Sequence, residues 1–198
     1  MSMPNTRHKV LSPLLAPILS LLLSNASAQD TGRALKDIRA EWTTLISRLP
    51  KEAHERNMRK AIEAAHANPR YPFGAVIVRA ETGEVMASGV NHSSESPILH
   101  GEIDCMNDYV RRNGNRGWQG MLLYTTGEPC SMCMSALIWS GIGGVVYASS
   151  IEGIRRAGIG QIALTARQVL DASPFGGIFL LGGILAAETD RMFLERQR

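Results

Sequence analysis

An α/β domain whose sheet is covered by helices on both faces is the fold class the sequence predicts, and three observations predict it. Apolar residues recur at helical spacing through 31–49 and again through 51–67. The period shortens to that of extended chain at 73–79 and 84–90, and beyond these, strand-length apolar runs alternate with helical stretches. Strands separated by helices bury both faces of their sheet, which places helices above and below it. With 198 residues, 44% hydrophobic and 20% charged, the chain can form one substantial core, and disordered and collagen-like classes are excluded.

The first 28 residues stand apart. Arg7, His8 and Lys9 precede an apolar run from Val10 to Leu23 that closes on Asn25-Ala26-Ser27-Ala28, a basic region, an apolar region and an A-x-A cleavage site. Pro13 and Pro17 interrupt the run, which is shorter than the roughly 20 apolar residues of a membrane-spanning helix. A cleaved signal peptide is therefore expected over 1–28 and a single domain over 29–198, exported to the periplasm or secreted, with no membrane partner after cleavage. Losing Arg7 and Lys9 reduces the 21 basic residues to 19 against 18 acidic ones, a net charge of +1. A phosphate backbone calls for a clear basic excess, so nucleic acid is not expected as a partner.

The elements come in chain order. Leu35, Ile38, Trp42, Leu45 and Ile46 mark the face of a first helix, stopped by Pro50. A second ends at Asn68-Pro69, and the strands at 73–79 and 84–90 form a hairpin around Glu81-Thr82-Gly83. A polar loop over 91–97 leads to a helix at 101–113 with the apolar stripe Ile103, Met106 and Val110 and a stop at Gly114. Residues 121–126 read as a third strand, and Pro129 suits entry to a short helix beginning around Cys130. Strands are expected at 145–148 and 178–181, and helices at 166–172 and 186–196.

Three pieces carry chemistry: Asn91, His100-Gly101-Glu102 and Glu128-Pro129-Cys130-Ser131-Met132-Cys133. Zinc takes imidazole nitrogen and thiolate sulfur, and a catalytic zinc keeps three protein ligands with one position open. His100, Cys130 and Cys133 make that set. Residues three apart on a helix share a face, so the two sulfurs converge, and the positive helix end favours thiolate. The competing reading of the C-x-x-C is a Cys130–Cys133 disulfide, because an exported chain with three cysteines leaves one outside any pairing. Glu102, two residues past the histidine, is placed to face the open position as a general base for water. Cys105 reads as a buried small hydrophobe near the site, and Glu128 as a carboxylate at a helix N-terminus. His54, His66 and His92 lack ligand-spaced partners and read as surface or structural.

His100-x-Glu102 followed by Pro129-Cys130-x-x-Cys133 is similar to the signature of zinc nucleobase deaminases. Over about 72–149, through Pro72-Phe-Gly-Ala-Val-Ile-Val78, Asn91, His100-Gly-Glu-Ile103 and Leu123-Tyr-Thr-Thr-Gly-Glu-Pro-Cys-Ser-Met-Cys133, the chain resembles the cytidine/deoxycytidylate deaminase superfamily. Within it, the bacterial guanine deaminase and tRNA adenosine deaminase branch is nearest, with fungal cytosine deaminase nearby. The resemblance implies a three-layer α/β/α sandwich around a mixed five-stranded sheet. It implies one zinc ion per chain on His100, Cys130 and Cys133, with Glu102 as catalytic proton shuttle. Asn91, Phe73 and Gly101 then belong to the substrate pocket, Asn91 bonding the ring and Phe73 lining the floor. Trp139 matches a tryptophan of guanine deaminases, with ordinary core packing as the open alternative.

The implied reaction is hydrolytic deamination of a nucleobase or nucleobase-like small molecule, a purine base such as guanine first, by a homodimer. A cytosine or nucleoside deaminase and an exported enzyme acting on nucleic acid are the alternatives. A zinc-stabilised binding protein without turnover is another, against which Glu102 argues. Guanine deaminases carry a ring-recognising acid after the fourth strand. Here that segment reads Gly158-Ile159-Gly160-Gln161, which offers an amide donor and acceptor and no carboxylate.

Overall fold

The computed structural model describes residues 40–197. The leader expected over 1–28 and the start of the helix expected over 31–49 lie outside the described residues. The described residues belong to one compact unit, Arg39–Arg198.

In extended chain, successive side chains point to opposite faces, and this alternation divides the interior in two. Along β1 (Gly74–Arg79), Ile77 aligns with Leu123 of β3 (Met121–Gly127), Val145 of β4 (Gly144–Ser149) and Leu180 of β5 (Phe179–Leu181). That row packs with Cys105, Tyr109, Met134 and Leu137. The neighbouring row of Val76, Tyr124, Val146 and Leu181 packs on the other face with Ile46, Met58, Ala61 and Ile62. The sheet order is β2-β1-β3-β4-β5, with β2 spanning Val85–Val90. β1 runs antiparallel to β2 and β3, whereas β3, β4 and β5 are parallel, so the sheet is mixed and five-stranded.

The helices make the outer layers. A helix at 40–47 (α1), α2 (Lys51–Ala65) and α7 (Ala186–Glu195) cover the second face. α3 (Gly101–Asn113), α4 (Ser131–Ser140) and α6 (Ala166–Asp171) cover the first. Two short elements had no expectation in the sequence: a 3-10 turn at Trp118–Gly120 and α5 (Ile151–Arg156). Six residues are too few to show a helical period. What starts α5 is a cap, the Ser150 hydroxyl accepting from Gly153 N–H. Among the described residues, no helix is long and apolar enough to cross a membrane.

β2 is an edge strand, and α3 closes it. Asp104 accepts from Val90 N–H (3.0 Å) and Asp108 from Ser88 N–H (3.3 Å), so outward-facing backbone donors are satisfied by two carboxylates one helical turn apart. Gly89, between them, admits the helix backbone so closely that a Cβ there would lie 2.6 Å from Gly101 O and 2.7 Å from Cys105 Cα. Because α3 carries His100 and Glu102 at its start, Gly89→Ala should cost about 3 kcal/mol or more and lower zinc content as the helix is pushed away. Thermal unfolding and metal analysis of that variant check both effects.

Candidate active site

Two helix beginnings meet at the end of the central strands. His100 is the N-cap of α3 and Cys130 the N-cap of α4, both in extended conformation and neither making a side-chain capping bond. Cys133 lies in the first turn of α4. The His100 Nδ1 atom is 3.6 Å from each cysteine sulfur, and the three ligand atoms lie within 4.8 Å of one another. Zinc bonds of about 2.3 Å to sulfur and about 2.0 Å to nitrogen, set tetrahedrally, hold sulfur and nitrogen about 3.5 Å apart. The donor set and its spacing fit zinc. The helix N-termini add favourable potential for the two thiolates.

The sulfurs already share charge. The neighbouring Cys133, outweighing burial and joined by His100, holds Cys130 down to about 4. Cys130 and burial push Cys133 well up. The hydrogen bond with Cys130 also raises His100.

Glu102 is 3% exposed, and burial, together with the negative charge at Cys130, pushes its carboxyl up to about 7. It lines a cavity of about 550 Å³ together with His100, Cys130, Phe73, Asn91 and Gln161. A carboxyl poised near neutrality beside the donor set can both take and give a proton. Phe73 forms one wall, braced by the Phe193 ring at 4.8 Å between centroids. Asn91 is buried, its N–H bonded to Phe73 O and its Oδ1 accepting from Ser93 N–H and Oγ–H. Gly101 does not line the cavity. A Cβ there would collide with the Phe73 carbonyl, so its bareness lets α3 approach the wall that Phe73 makes.

Trp139 requires a correction. It is 77% exposed and rests against Phe175 with centroids 4.9 Å apart, in a groove between α4 and α6 outside the cavity. Cys133, Met134, Leu137 and Ile138 occupy the buried side of α4, which turns Trp139 outward. Within one chain it is neither a pocket residue nor a core residue.

Glu128 proves to be a brace. Buried at the cavity wall, it accepts from Ile151 N–H (2.9 Å) and Ala166 N–H (2.8 Å), tying the starts of α5 and α6 to the cysteine loop. Cys105 is fully buried on the sheet-facing side of α3. His54 is buried too, bonded through Nδ1 to the Tyr124 hydroxyl at 2.9 Å, a structural histidine remote from the ligand set. Ser93, Tyr71 and Ile162 line the cavity without having been singled out in the sequence. Only Ser93 left a signal there, the Asn-x-Ser spacing that permits a side chain to fold onto the backbone two residues on.

Comparison with known proteins agrees with this geometry. The family model described as the cytidine and deoxycytidylate deaminase zinc-binding region matches residues 51–149. The chain is 32% identical over 111 residues to the guanine deaminase of Bacillus subtilis, covering 53% of this chain and 70% of that protein. It is 28% identical to a probable cytosine deaminase of Schizosaccharomyces pombe, covering 52% of this chain and 62% of the relative. Among solved structures, the guanine deaminase of Nitrosomonas europaea superposes with a TM-score of 0.64 at 22% identity, covering 71% of this chain and 82% of that one.

Proposed function

Because the chain belongs to the cytidine and deoxycytidylate deaminase zinc-binding family, we propose that it hydrolyses the exocyclic amine of a nucleobase-like small molecule, a purine base such as guanine first. One observation carries this reading: two of the three clustered donors, His100 and Cys130, line a single cavity with the buried carboxyl of Glu102, and the Cys133 donor lies within 4.8 Å of both. The likeness to the Bacillus guanine deaminase favours a purine.

The chain's own residues divide the work. When bound by His100, Cys130 and Cys133, zinc supplies the Lewis acidity that makes water a nucleophile near neutral pH. Glu102 accepts the proton that water gives up, hands it to the ring nitrogen beside the carbon under attack, and delivers a proton to the departing ammonia. Phe73 and Ile159 offer apolar walls that hold the ring and exclude bulk water. Asn91 supplies a polar contact. Glu128 has both oxygens engaged and keeps the cysteine loop in place.

An ammonia-release screen of the zinc-loaded protein against guanine, adenine, cytosine, their nucleosides, aminotriazines and single-stranded oligonucleotides tests the reading. Release from a purine base is the expected result. A folded, zinc-loaded protein that releases ammonia from none of them would leave a zinc-stabilised binding protein instead. The homodimer implied by the resemblance is also a proposal, supported by the exposed Trp139–Phe175 pair. Sedimentation should give a dimer that Trp139→Asp weakens; an active monomer at micromolar concentration would overturn it.

A further inference from the structure

A backbone N–H can only donate, so the Asn91 side-chain atom lying 3.1 Å from Ser93 N must be the oxygen. The Ser93 hydroxyl, 2.8 Å from the same atom, donates as well. Two donors on one oxygen leave the amide no reason to turn over, and its Nδ2 group makes no hydrogen bond among the described residues. Asn91 is buried and lines the cavity, so the polar function it offers a ligand there is an N–H donor.

The remaining lining narrows the ligand class. Among the described residues no lysine or arginine lines the cavity, so none there offers a phosphate a charged partner. The Glu128 oxygens are occupied by Ile151 and Ala166 N–H groups. Among the described residues of the wall, no carboxylate apart from Glu102 has an oxygen free of hydrogen bonds to meet a ring N–H. Gln161, half-buried, adds an amide with no hydrogen-bond partner among the described residues.

We propose that Ser93 is a positioning residue that fixes Asn91 as a donor, so that the affinity of the site for a ring carbonyl at that position depends on the Ser93 hydroxyl. This rests on the deaminase reading for its substrate but concerns recognition, so binding can test it apart from turnover. Cytosine and 4-aminopyrimidine differ by a ring carbonyl, as do guanine and 2-aminopurine. In each pair only the first can answer the Asn91 donor at that position.

The experiment is calorimetric titration of these four compounds into zinc-loaded Glu102→Ala protein, which binds without turning over, with Ser93 intact and with Ser93→Ala or Ser93→Thr added. At least one carbonyl-bearing ring should bind more tightly than its partner. Ser93→Ala should weaken that ring by roughly fivefold, the worth of one hydrogen bond, and leave the carbonyl-free partner unchanged. Ser93→Thr, which keeps the hydroxyl, should restore the difference. Equal weakening of both members of a pair, no weakening of either, or no preference for the carbonyl before Ser93 is changed would overturn the proposal. Selective binding with no ammonia release from wild-type protein would sink the deaminase reading while leaving the assignment of Ser93 intact.

Discussion

Replacing Glu102 by alanine should lower turnover by about a hundredfold to ten-thousandfold while zinc content and fold are retained. The carboxyl is not one of the three clustered ligand atoms, so the metal site keeps its full donor set. In the proposed reaction each proton transfer nonetheless passes through this group, and among the described residues no other free carboxylate lines the cavity to replace it. Glu102→Gln is the cleaner companion, because it preserves shape in a buried position but cannot accept a proton. Both variants should fail to a similar degree. Ammonia release close to that of wild type, with zinc bound, would mean that the acid/base assignment is wrong.

Cys133→Ala should empty the metal site. Two donors, His100 and Cys130, remain at 3.6 Å from one another, and two ligands do not hold zinc against competing water. Zinc should fall from one per chain to near none, and activity to background. Because metal binding is linked to folding, a chelator should lower the unfolding temperature of wild type but not of the variant. Cys130→Ala should behave the same way, and circular dichroism establishes that either variant has folded. Unchanged zinc content in both would show that the pair is idle or disulfide-bonded.

The sequence was most legible where a local period or a fixed spacing carries the information. The α3 helix occupies 101–113 with its stop at Gly114 as expected, although it buries Glu102, Cys105, Asp108 and Tyr109 and leaves Val110 of the expected stripe exposed, and β5 lies within the expected 178–181. The ligand set was readable because Cys130 and Cys133 share one helical turn and His100 opens a second helix. Contacts that join distant segments were not readable. Glu128 reaches backbone groups 23 and 38 residues away, and nothing local distinguishes a carboxylate with such partners from one at a nearby helix end. Trp139 failed for a related reason: an apolar residue on an apolar helix has no local mark of which side will face the sheet, and α4 is apolar nearly all round. The loop from Ile159 to Ile162 enters the cavity by way of α5, an element too short for its period to reveal.

A zinc ion on His100, Cys130 and Cys133, working with Glu102, is what would make this chain a hydrolytic deaminase. Ammonia release from the best ring in the screen, measured on one protein preparation before zinc removal, after removal and after stoichiometric zinc is restored, tests that dependence most directly. Release should be lost with the metal and recovered with one zinc per chain. Release that persists undiminished in the metal-free protein would contradict it.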